Sequence, residues 1–357
     1  MAAVIVEEVG IEGVVTVVPP DCILFKTDAE RLGMEVGQQA QRISETVGLK
    51  ERRVVSTGVT ALDLGELACR ELIKGLNTNP TDIGFMIFVT QTPDHHQPCN
   101  AAILHGRLGL DNSVGALDIN LGCSGYVYGL YLAASMIKSL GKDVLLVVGD
   151  TLSTQVNPLD RSASILFGDA ASATLLSVRE NEKMYFDMCT DGASFQSIIV
   201  PAGASRMPSS YETGVDREEE EGNIRALDDL KVVGGEVFNF AVRTQPKAIK
   251  KLLEFSEKSL EEVDMFFFHQ ANKYILRMIA KKLSVPNAKV PDSIITKYGN
   301  QSSASIPCTI NETIDTDGQQ RLSVLSGFGV GLSWASVLCN LNLKYCPSPI
   351  NWSKNSE

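Results

Sequence analysis

The sequence predicts a layered α/β protein that is built from two similar halves. Three observations predict this fold class: short apolar runs, apolar residues at helical spacing between them, and an internal repeat. The runs 85–89, 145–149 and 265–268 are apolar along their whole length, as is typical of strands that helices cover on both faces. A chain of 357 residues that is 44% hydrophobic and 21% charged can bury such a core.

The internal repeat relates segment 61–89 to segment 241–269, which align without a gap at an offset of 180 residues. Each segment predicts a helix, an acidic turn and then a buried strand, and a further helix follows each strand. The repeat therefore predicts two β/α halves, residues 1–178 and 179–345. The polar tail that follows, residues 346–357, is expected to be loose, and the polar segment 203–225 is expected to be a solvated loop.

Residues 124–141 predict a helix in the centre of the molecule, because they are apolar on nearly every side and include small residues. The strand before them turns through Gly122 and delivers Cys123 at the helix N-terminus. The helix dipole favours a thiolate at this place, so we predict that Cys123 is a nucleophile with a lowered pKa. The alternative is a buried cysteine that packs as a small hydrophobe.

Three other segments could supply further chemistry. His269 follows an apolar run and precedes a helix, and active sites of α/β proteins lie at such strand ends. Asn300 lies in a Gly-Asn turn, where its amide could donate to a thioester carbonyl without acting as a base. The glycines of LSGFGVGLSWAS, residues 325–336, could expose N–H groups to an oxyanion. Taken singly, a core histidine, an ordinary turn and a tight bulge are the alternatives.

Composition excludes several classes of function. A net charge of −11 argues against general nucleic-acid binding, which needs a basic surface. The eight cysteines are scattered without a CxxC pair, and His95, His96 and Cys99 lack a fourth ligand, so no metal site is predicted. The first residues carry glutamates rather than a basic and apolar leader, and no apolar run approaches the roughly 20 residues of a membrane span. We therefore expect a cytoplasmic protein with no membrane span.

The order of these segments is more specific than any one of them. Cys123, the HQAN tetrad 269–272 and the GNQSSAS segment 299–305 together resemble the β-ketoacyl-acyl-carrier-protein synthase III family of the thiolase superfamily, over nearly the full length. Segments 48–55 and 166–176 agree with the same family. The resemblance implies a thiolase fold, with duplicated β/α halves in a five-layered αβαβα arrangement, and a homodimer.

The resemblance also implies an acyltransferase of fatty acid biosynthesis with two half-reactions. Cys123 takes the acyl group from acyl-CoA or an acyl carrier protein, while the N–H groups of Cys123 and Val330 form the oxyanion hole. His269 and Asn300 then hydrogen-bond the thioester carbonyl of a malonyl carrier protein, whose decarboxylation gives a carbanion that attacks the acyl group. No cofactor or metal is required. Asn300 argues against thiolases and elongating ketosynthases, which have a cysteine or histidine there.

The carrier protein of this family is acidic, and Lys273, Arg277, Lys281 and Lys282 on the helix after HQAN form an expected docking patch, although a solvated helix face is the alternative. Gln97 occupies the place from which an apolar residue of the partner subunit usually reaches the acyl pocket. This departure suggests an unusual acyl donor and a specialised pathway. Acyl transfer to an alcohol or amine without carbon–carbon bond formation is the main alternative function; a thioesterase, a non-catalytic subunit and CoA-only polyketide chemistry are others.

Overall fold

The computed structural model describes residues 2–34, 38–219 and 222–354. Its helices are α1 (Phe25–Arg31), α2 (Gln38–Val47), α3 (Ala61–Leu76), α4 (Asn100–Arg107), α5 (Gly125–Leu140), α6 (Gly234–Phe255), α7 (Lys273–Leu283), α8 (Ser293–Tyr298) and α9 (Ser305–Thr313). The strands up to the middle of the chain are β1 (Ala2–Val18), β2 (Cys22–Leu24), β3 (Glu51–Arg53), β4 (Ile83–Val89), β5 (Gly115–Ile119), β6 (Asp143–Asp150) and β7 (Ala170–Thr190). The later strands are β8 (Ile198–Ile199), β9 (Arg217–Glu218), β10 (Ile224–Arg225), β11 (Lys231–Val232), β12 (Met265–Phe268), β13 (Arg321–Gly329), β14 (Ser333–Leu341) and β15 (Ile350–Asn351).

The same strand pairing occurs in both halves of the chain. In the first half, β4 is parallel to β6, β6 is antiparallel to the start of β7, and β7 is antiparallel to the end of β1. In the second half, β12 is parallel to β13, β13 is antiparallel to β14, and β14 is antiparallel to the end of β7. Strand β5 adds an outer edge to the first sheet. The predicted duplication of β/α halves is therefore confirmed.

Two long strands pass through both sheets. Residues 9–17 of β1 pair with residues 171–178 of β7, and residues 2–7 pair with residues 183–188, with a register shift between Glu7 and Val9. The predicted division between residues 178 and 179 therefore lies inside β7. Because β1 contributes to the second sheet as well as the first, the two halves share one continuous hydrogen-bonded framework.

The helices lie in three layers that alternate with the two sheets. Helices α5 and α9 lie between the sheets, and their buried apolar residues pack against strands of both halves. Helix α3 packs on the outer face of the first sheet, where α4 also lies. Helices α6 and α7 cover the outer face of the second sheet. This arrangement confirms the predicted five-layered αβαβα fold, with α5 as the central helix.

The end of the chain corrects the expectation of a loose tail. Strand β15, Ile350–Asn351, pairs in parallel with Val17 and Val18 at the end of β1. The Trp352 backbone N–H donates to the Val18 carbonyl at 2.8 Å, and the Asn311 side chain donates to the Pro347 carbonyl at 2.9 Å. The tail can pack because its few apolar residues reach an unpaired edge of β1. Residues 355–357 lie outside the described part.

Segment 203–225 lies largely at the surface, as predicted, but it contains some regular structure. It contains strands β9 and β10, which pair with each other, and it buries Thr213 and Arg225. The Asn157 side chain donates to Asp216 at 2.7 Å, so the segment is held against the loop that follows β6. The expectation of a solvated segment is confirmed for residues 203–212 and 214–218, which are exposed, whereas the pairing of β9 with β10 was not predicted. Residues 220 and 221 lie outside the described part. Within residues 2–34, 38–219 and 222–354, no helix has the length and apolar character that a membrane crossing needs.

Candidate active site

Cys123 lies where the predicted turn joins β5 to the central helix α5. The Gly125 N–H donates to the Gly122 carbonyl at 2.7 Å and closes this turn. Strand β13 passes so close that a Cβ added at Gly327 would lie 2.5 Å from the Cys123 carbonyl oxygen, and one added at Gly329 would lie 3.0 Å from its Sγ. Glycines of the LSGFGVGLSWAS segment are therefore required by the close approach of a strand to the thiol.

His269 follows β12 and its side chain is 2% exposed. Its Nδ1 lies 2.8 Å from the Ser305 hydroxyl at the start of α9, and the Phe328 ring packs edge-on against the imidazole. Burial lowers the pKa of His269 to about 3, although a hydrogen bond with the Ser302 backbone opposes this shift. The imidazole is therefore neutral near pH 7.

Asn300 lies just before α9 and is 7% exposed. Its backbone N–H donates to the Leu166 carbonyl at 2.8 Å, and its carbonyl accepts from the Gly168 N–H at 3.0 Å. Its side-chain Oδ1 accepts the Ser302 N–H at 2.9 Å. Because the amide oxygen is occupied in this way, the NH₂ group is the part of Asn300 that can serve a substrate, as a donor.

Ser302 connects these three residues, and the sequence analysis did not identify it. Its hydroxyl lies 3.9 Å from the Cys123 Sγ, its N–H binds Asn300, and its backbone contacts the His269 ring. Its φ of 49° is rare for a residue other than glycine. The available signal was its position two residues after Asn300 in a serine-rich turn. The structure thus places the predicted Cys123, His269 and Asn300 around one small residue.

The central helices α5 and α9 both begin at this cluster, so the partial positive charges of two helix N-termini converge on Cys123. Burial nevertheless raises the pKa of Cys123 to about 12; the Ser302 hydroxyl lowers it and the Asp150 carboxylate raises it further. The pKa of the thiol in the folded chain is therefore raised, in contrast to the predicted lowering, because desolvation of the thiolate is the largest effect.

Comparison with known proteins agrees with this geometry. Residues 117–192 match the model of 3-oxoacyl-[acyl-carrier-protein (ACP)] synthase III, and residues 253–341 match the model of the C-terminal part of the same family. A putative 3-oxoacyl-[acyl-carrier-protein] synthase 3 of Campylobacter jejuni is 34% identical, with 98% of each chain covered. The chain belongs to the 3-oxoacyl-[acyl-carrier-protein] synthase III family. It is thus an acyltransferase of the condensing type, as predicted, and the comparisons do not favour acyl transfer to an alcohol or amine.

Other relatives and solved structures support the same assignment. A β-ketoacyl-[acyl-carrier-protein] synthase III of Caldanaerobacter subterraneus subsp. tengcongensis is 34% identical, with 94% of this chain and 95% of that one covered. The structure of a 3-oxoacyl-(acyl-carrier protein) synthase from Burkholderia xenovorans LB400 superimposes with a TM-score of 0.90 at 34% identity, covering 98% and 99% of the two chains. The priming β-ketosynthase of the R1128 polyketide pathway has a TM-score of 0.79 at 25% identity, covering 96% and 97%.

Val330 and Gln97 are the other predicted site residues of the main site. Val330 follows Gly329, whose backbone contacts Cys123, and its carbonyl accepts from the Ser333 hydroxyl at 2.7 Å. Val330, Gln97 and Asn120 line the same cleft, which has a volume of about 940 Å³. The oxyanion role of Val330 and the reach of Gln97 into a partner subunit stay predictions.

The predicted docking residues of α7 are placed unequally. Arg277 and Lys281 are exposed. Lys273 is paired with Asp292 at 3.1 Å, and its stem packs against Gly48. Lys282 is exposed, but its ammonium donates to the carbonyl of Val242 on α6 at 3.3 Å. Arg277 and Lys281 are thus the members of the patch whose charges are best placed for a partner.

Proposed function

We propose that this enzyme joins an acyl group, carried as a thioester on Cys123, to a malonyl unit on an acyl carrier protein. The observation that carries this proposal is the meeting of Cys123, His269 and Asn300 around Ser302, where two central helices begin. A partly buried thiol supplies the nucleophile, while a neutral imidazole and an amide supply hydrogen bonds without competing as charged groups.

In the first half-reaction, the sulfur of Cys123 forms a bond to the acyl carbonyl, and the bond from that carbonyl to the donor thiol breaks. The thiol proton is transferred to the departing thiolate, so that the donor leaves as a free thiol. The backbone N–H groups of Cys123 and Val330 hold the developing oxyanion. The two helix N-termini offset part of the cost of forming the buried thiolate.

In the second half-reaction, His269 and Asn300 donate to the thioester carbonyl of the malonyl group. Loss of carbon dioxide leaves a carbanion that attacks the acyl carbon on Cys123 and releases the Cys123 thiolate, which takes up a proton. The Ser305 hydroxyl lies 2.8 Å from both the His269 Nδ1 and the Ser302 carbonyl. This hydroxyl donates to the Ser302 carbonyl and fixes the orientation of the ring, so Nε2 is the nitrogen left for the substrate.

We further propose a cytoplasmic homodimer that needs no cofactor or metal. Strand β5 is the outer strand of the first sheet, and its residues are half-buried although no described strand pairs with its outer edge. A second copy of the chain would cover such an edge. The acidic carrier protein would approach Arg277 and Lys281 on α7, with Lys273 and Lys282 beside them.

The polar Gln97 beside the cleft supports a specialised acyl donor. A pure preference for acetyl-CoA in a panel of acyl-CoA and acyl carrier protein donors would contradict this part of the proposal. The same panel tests the function itself by intact-protein mass spectrometry of the wild type and Cys123→Ala. We expect the wild type alone to gain an acyl mass, which a malonyl carrier protein then removes as a β-ketoacyl product. Acyl loading without removal would instead favour transfer to another nucleophile.

A further inference from the structure

Asp150 is a buried carboxylate that no step above uses. It ends β6, next to β4 in the first sheet, and it is 0% exposed. Its Oδ1 accepts the Gln91 N–H at 2.7 Å, and its Oδ2 accepts the Ser303 hydroxyl at 2.9 Å. The Ser303 backbone N–H is a further donor to Oδ2, at 3.4 Å. A buried carboxylate that receives this many donors holds the donor groups in place.

The groups that Asp150 holds belong to both halves of the molecule. Gln91 follows β4 of the first half, and its Nε2 also donates to the Ser302 hydroxyl at 3.0 Å. Ser302 and Ser303 belong to the turn before α9 in the second half. Asp150 therefore links the strand ends of one half to the turn of the other half at the point where they meet.

This turn contains the catalytic asparagine. The Ser302 N–H donates to the Asn300 Oδ1 at 2.9 Å, and the Ser302 hydroxyl lies 3.9 Å from the Cys123 Sγ. We propose that Asp150 is a positioning residue, which fixes Gln91 and the Ser302–Ser303 segment and thereby holds the Asn300 amide in line with Cys123. The inference rests on the proposed roles of Cys123 and Asn300.

The test compares Asp150→Asn, which keeps the shape, with Asp150→Glu, which keeps the charge. An asparagine presents an NH₂ group where the carboxylate accepted hydrogen bonds, and a glutamate displaces the acceptor oxygens by one methylene. We expect both variants to lower kcat for malonyl condensation roughly 100-fold with KM nearly unchanged, the size of effect typical of a misplaced catalytic group. Ser303→Ala, which removes one donor, should lower kcat by a smaller factor.

A second measurement separates positioning from general loss of structure. Because the Asp150 charge contributes to raising the pKa of Cys123, iodoacetamide should alkylate Cys123 at lower pH in Asp150→Asn than in the wild type or Asp150→Glu. Peptide mass spectrometry locates the alkylated cysteine. Asp187→Asn is the matched control, since Asp187 is a buried carboxylate that pairs with Lys251 at 3.6 Å, away from this turn.

The inference is overturned if Asp150→Asn keeps the wild-type kcat, if Asp187→Asn loses as much, or if the alkylation profile of Asp150→Asn does not shift. Failure of the proposed function is a separate result. It would show as absence of condensation in the wild type, whereas the alkylation profiles need no substrate and still report whether Asp150 acts on Cys123.

Discussion

The two halves of the molecule use equivalent strand ends for different purposes. In the first half, β4 leads to Gln91 and β6 ends at Asp150, and these groups form a hydrogen-bonded support. In the second half, the equivalent strand β12 leads to His269, and the equivalent strand β13 ends at Gly329, beside Cys123. These strand ends therefore lie at the catalytic groups themselves. The same topology therefore has two uses. The strand ends of the first half support the site, and the strand ends of the second half form it.

The N-termini of the two central helices differ from the strand ends, because both of them lie next to catalytic residues. Helix α5 follows Cys123, and α9 follows the turn that contains Asn300 and Ser302. Since the N-terminus of each helix has a partial positive charge, both halves favour negative charge at one place. Each half therefore contributes one helix N-terminus that favours negative charge at the site, whereas the catalytic side chains are divided between the halves.

The largest expected effect distinguishes Cys123, just before α5, from Cys308, in α9. Cys123→Ala should abolish acyl loading, because the covalent intermediate cannot form without the thiol. Cys308→Ala, in α9, should keep loading, because Cys308 is buried in the core and burial raises the pKa of its thiol. Mass spectrometry after incubation with an acyl donor measures both. Acyl loading of Cys123→Ala would show that another residue is the nucleophile.

The next effect tests the donors of the second half. His269→Ala and Asn300→Ala should each lower malonyl decarboxylation roughly 100- to 1000-fold, since each removes one hydrogen bond to the developing enolate. Release of labelled carbon dioxide measures this step, and the acyl mass on Cys123 measures the first one. Asn300→Ala should affect loading much less than decarboxylation. Equal losses in the two steps would contradict the proposed role of Asn300.

A smaller effect is expected when a methyl group is added at Gly329, the end of β13 beside the Cys123 thiol. A Cβ at Gly329 would lie 3.0 Å from the Cys123 Sγ and 2.8 Å from its Cβ. We expect Gly329→Ala to slow acyl loading about 10- to 100-fold, which corresponds to the roughly 1 to 3 kcal/mol of an overpacked contact. Gly192→Ala is the control, because a Cβ at Gly192 has no described atom within 4 Å. Normal loading by Gly329→Ala would show that the strand can move away.

The outer helices provide the next comparison. Arg277→Glu and Lys281→Glu on α7 should each raise KM for a carrier-protein substrate severalfold and leave KM for an acyl-CoA unchanged, because exposed charges act mainly on association with a charged partner. The increase should shrink at high ionic strength. Lys74→Glu, at an exposed position on α3 of the first half, is the matched control. An equal effect of Lys74→Glu would point to net charge rather than to docking on α7.

The last prediction concerns stability against acid rather than catalysis. The pKa of His269 is about 3 in the folded chain and 6.5 is its ordinary value, so below about pH 6.5 the unfolded chain binds a proton that the folded chain does not. This residue therefore reduces the free energy of unfolding as pH falls from 6.5 toward 3, by up to about 1.4 kcal/mol per pH unit. His269→Gln should show a shallower loss in urea titrations between pH 6.5 and 4. Parallel curves for the two proteins would contradict burial of a neutral imidazole.

Local patterns were sufficient to predict much of the fold and part of the site. The apolar runs that became β4, β6 and β12 and the apolar stretch that became α5 were visible because burial on all sides leaves few polar positions. Cys123, His269 and Asn300 were identifiable because each follows a strand or precedes a helix in a recognisable segment. The chain end was misjudged, since its packing depends on a partner strand distant in sequence, and the pairing of β9 with β10 was not predicted.

The sequence by itself determined the order of the elements and the three catalytic side chains, because both can be identified from short segments of the chain. Only the tertiary structure decided the surroundings of the thiol. Ser302, Asp150 and Gly329 come from separate segments, and they meet Cys123 only after the two sheets enclose α5 and α9. The same enclosure removes part of the water around the thiol and raises its pKa, because desolvation depends on everything that surrounds a group and not only on its neighbours in the chain.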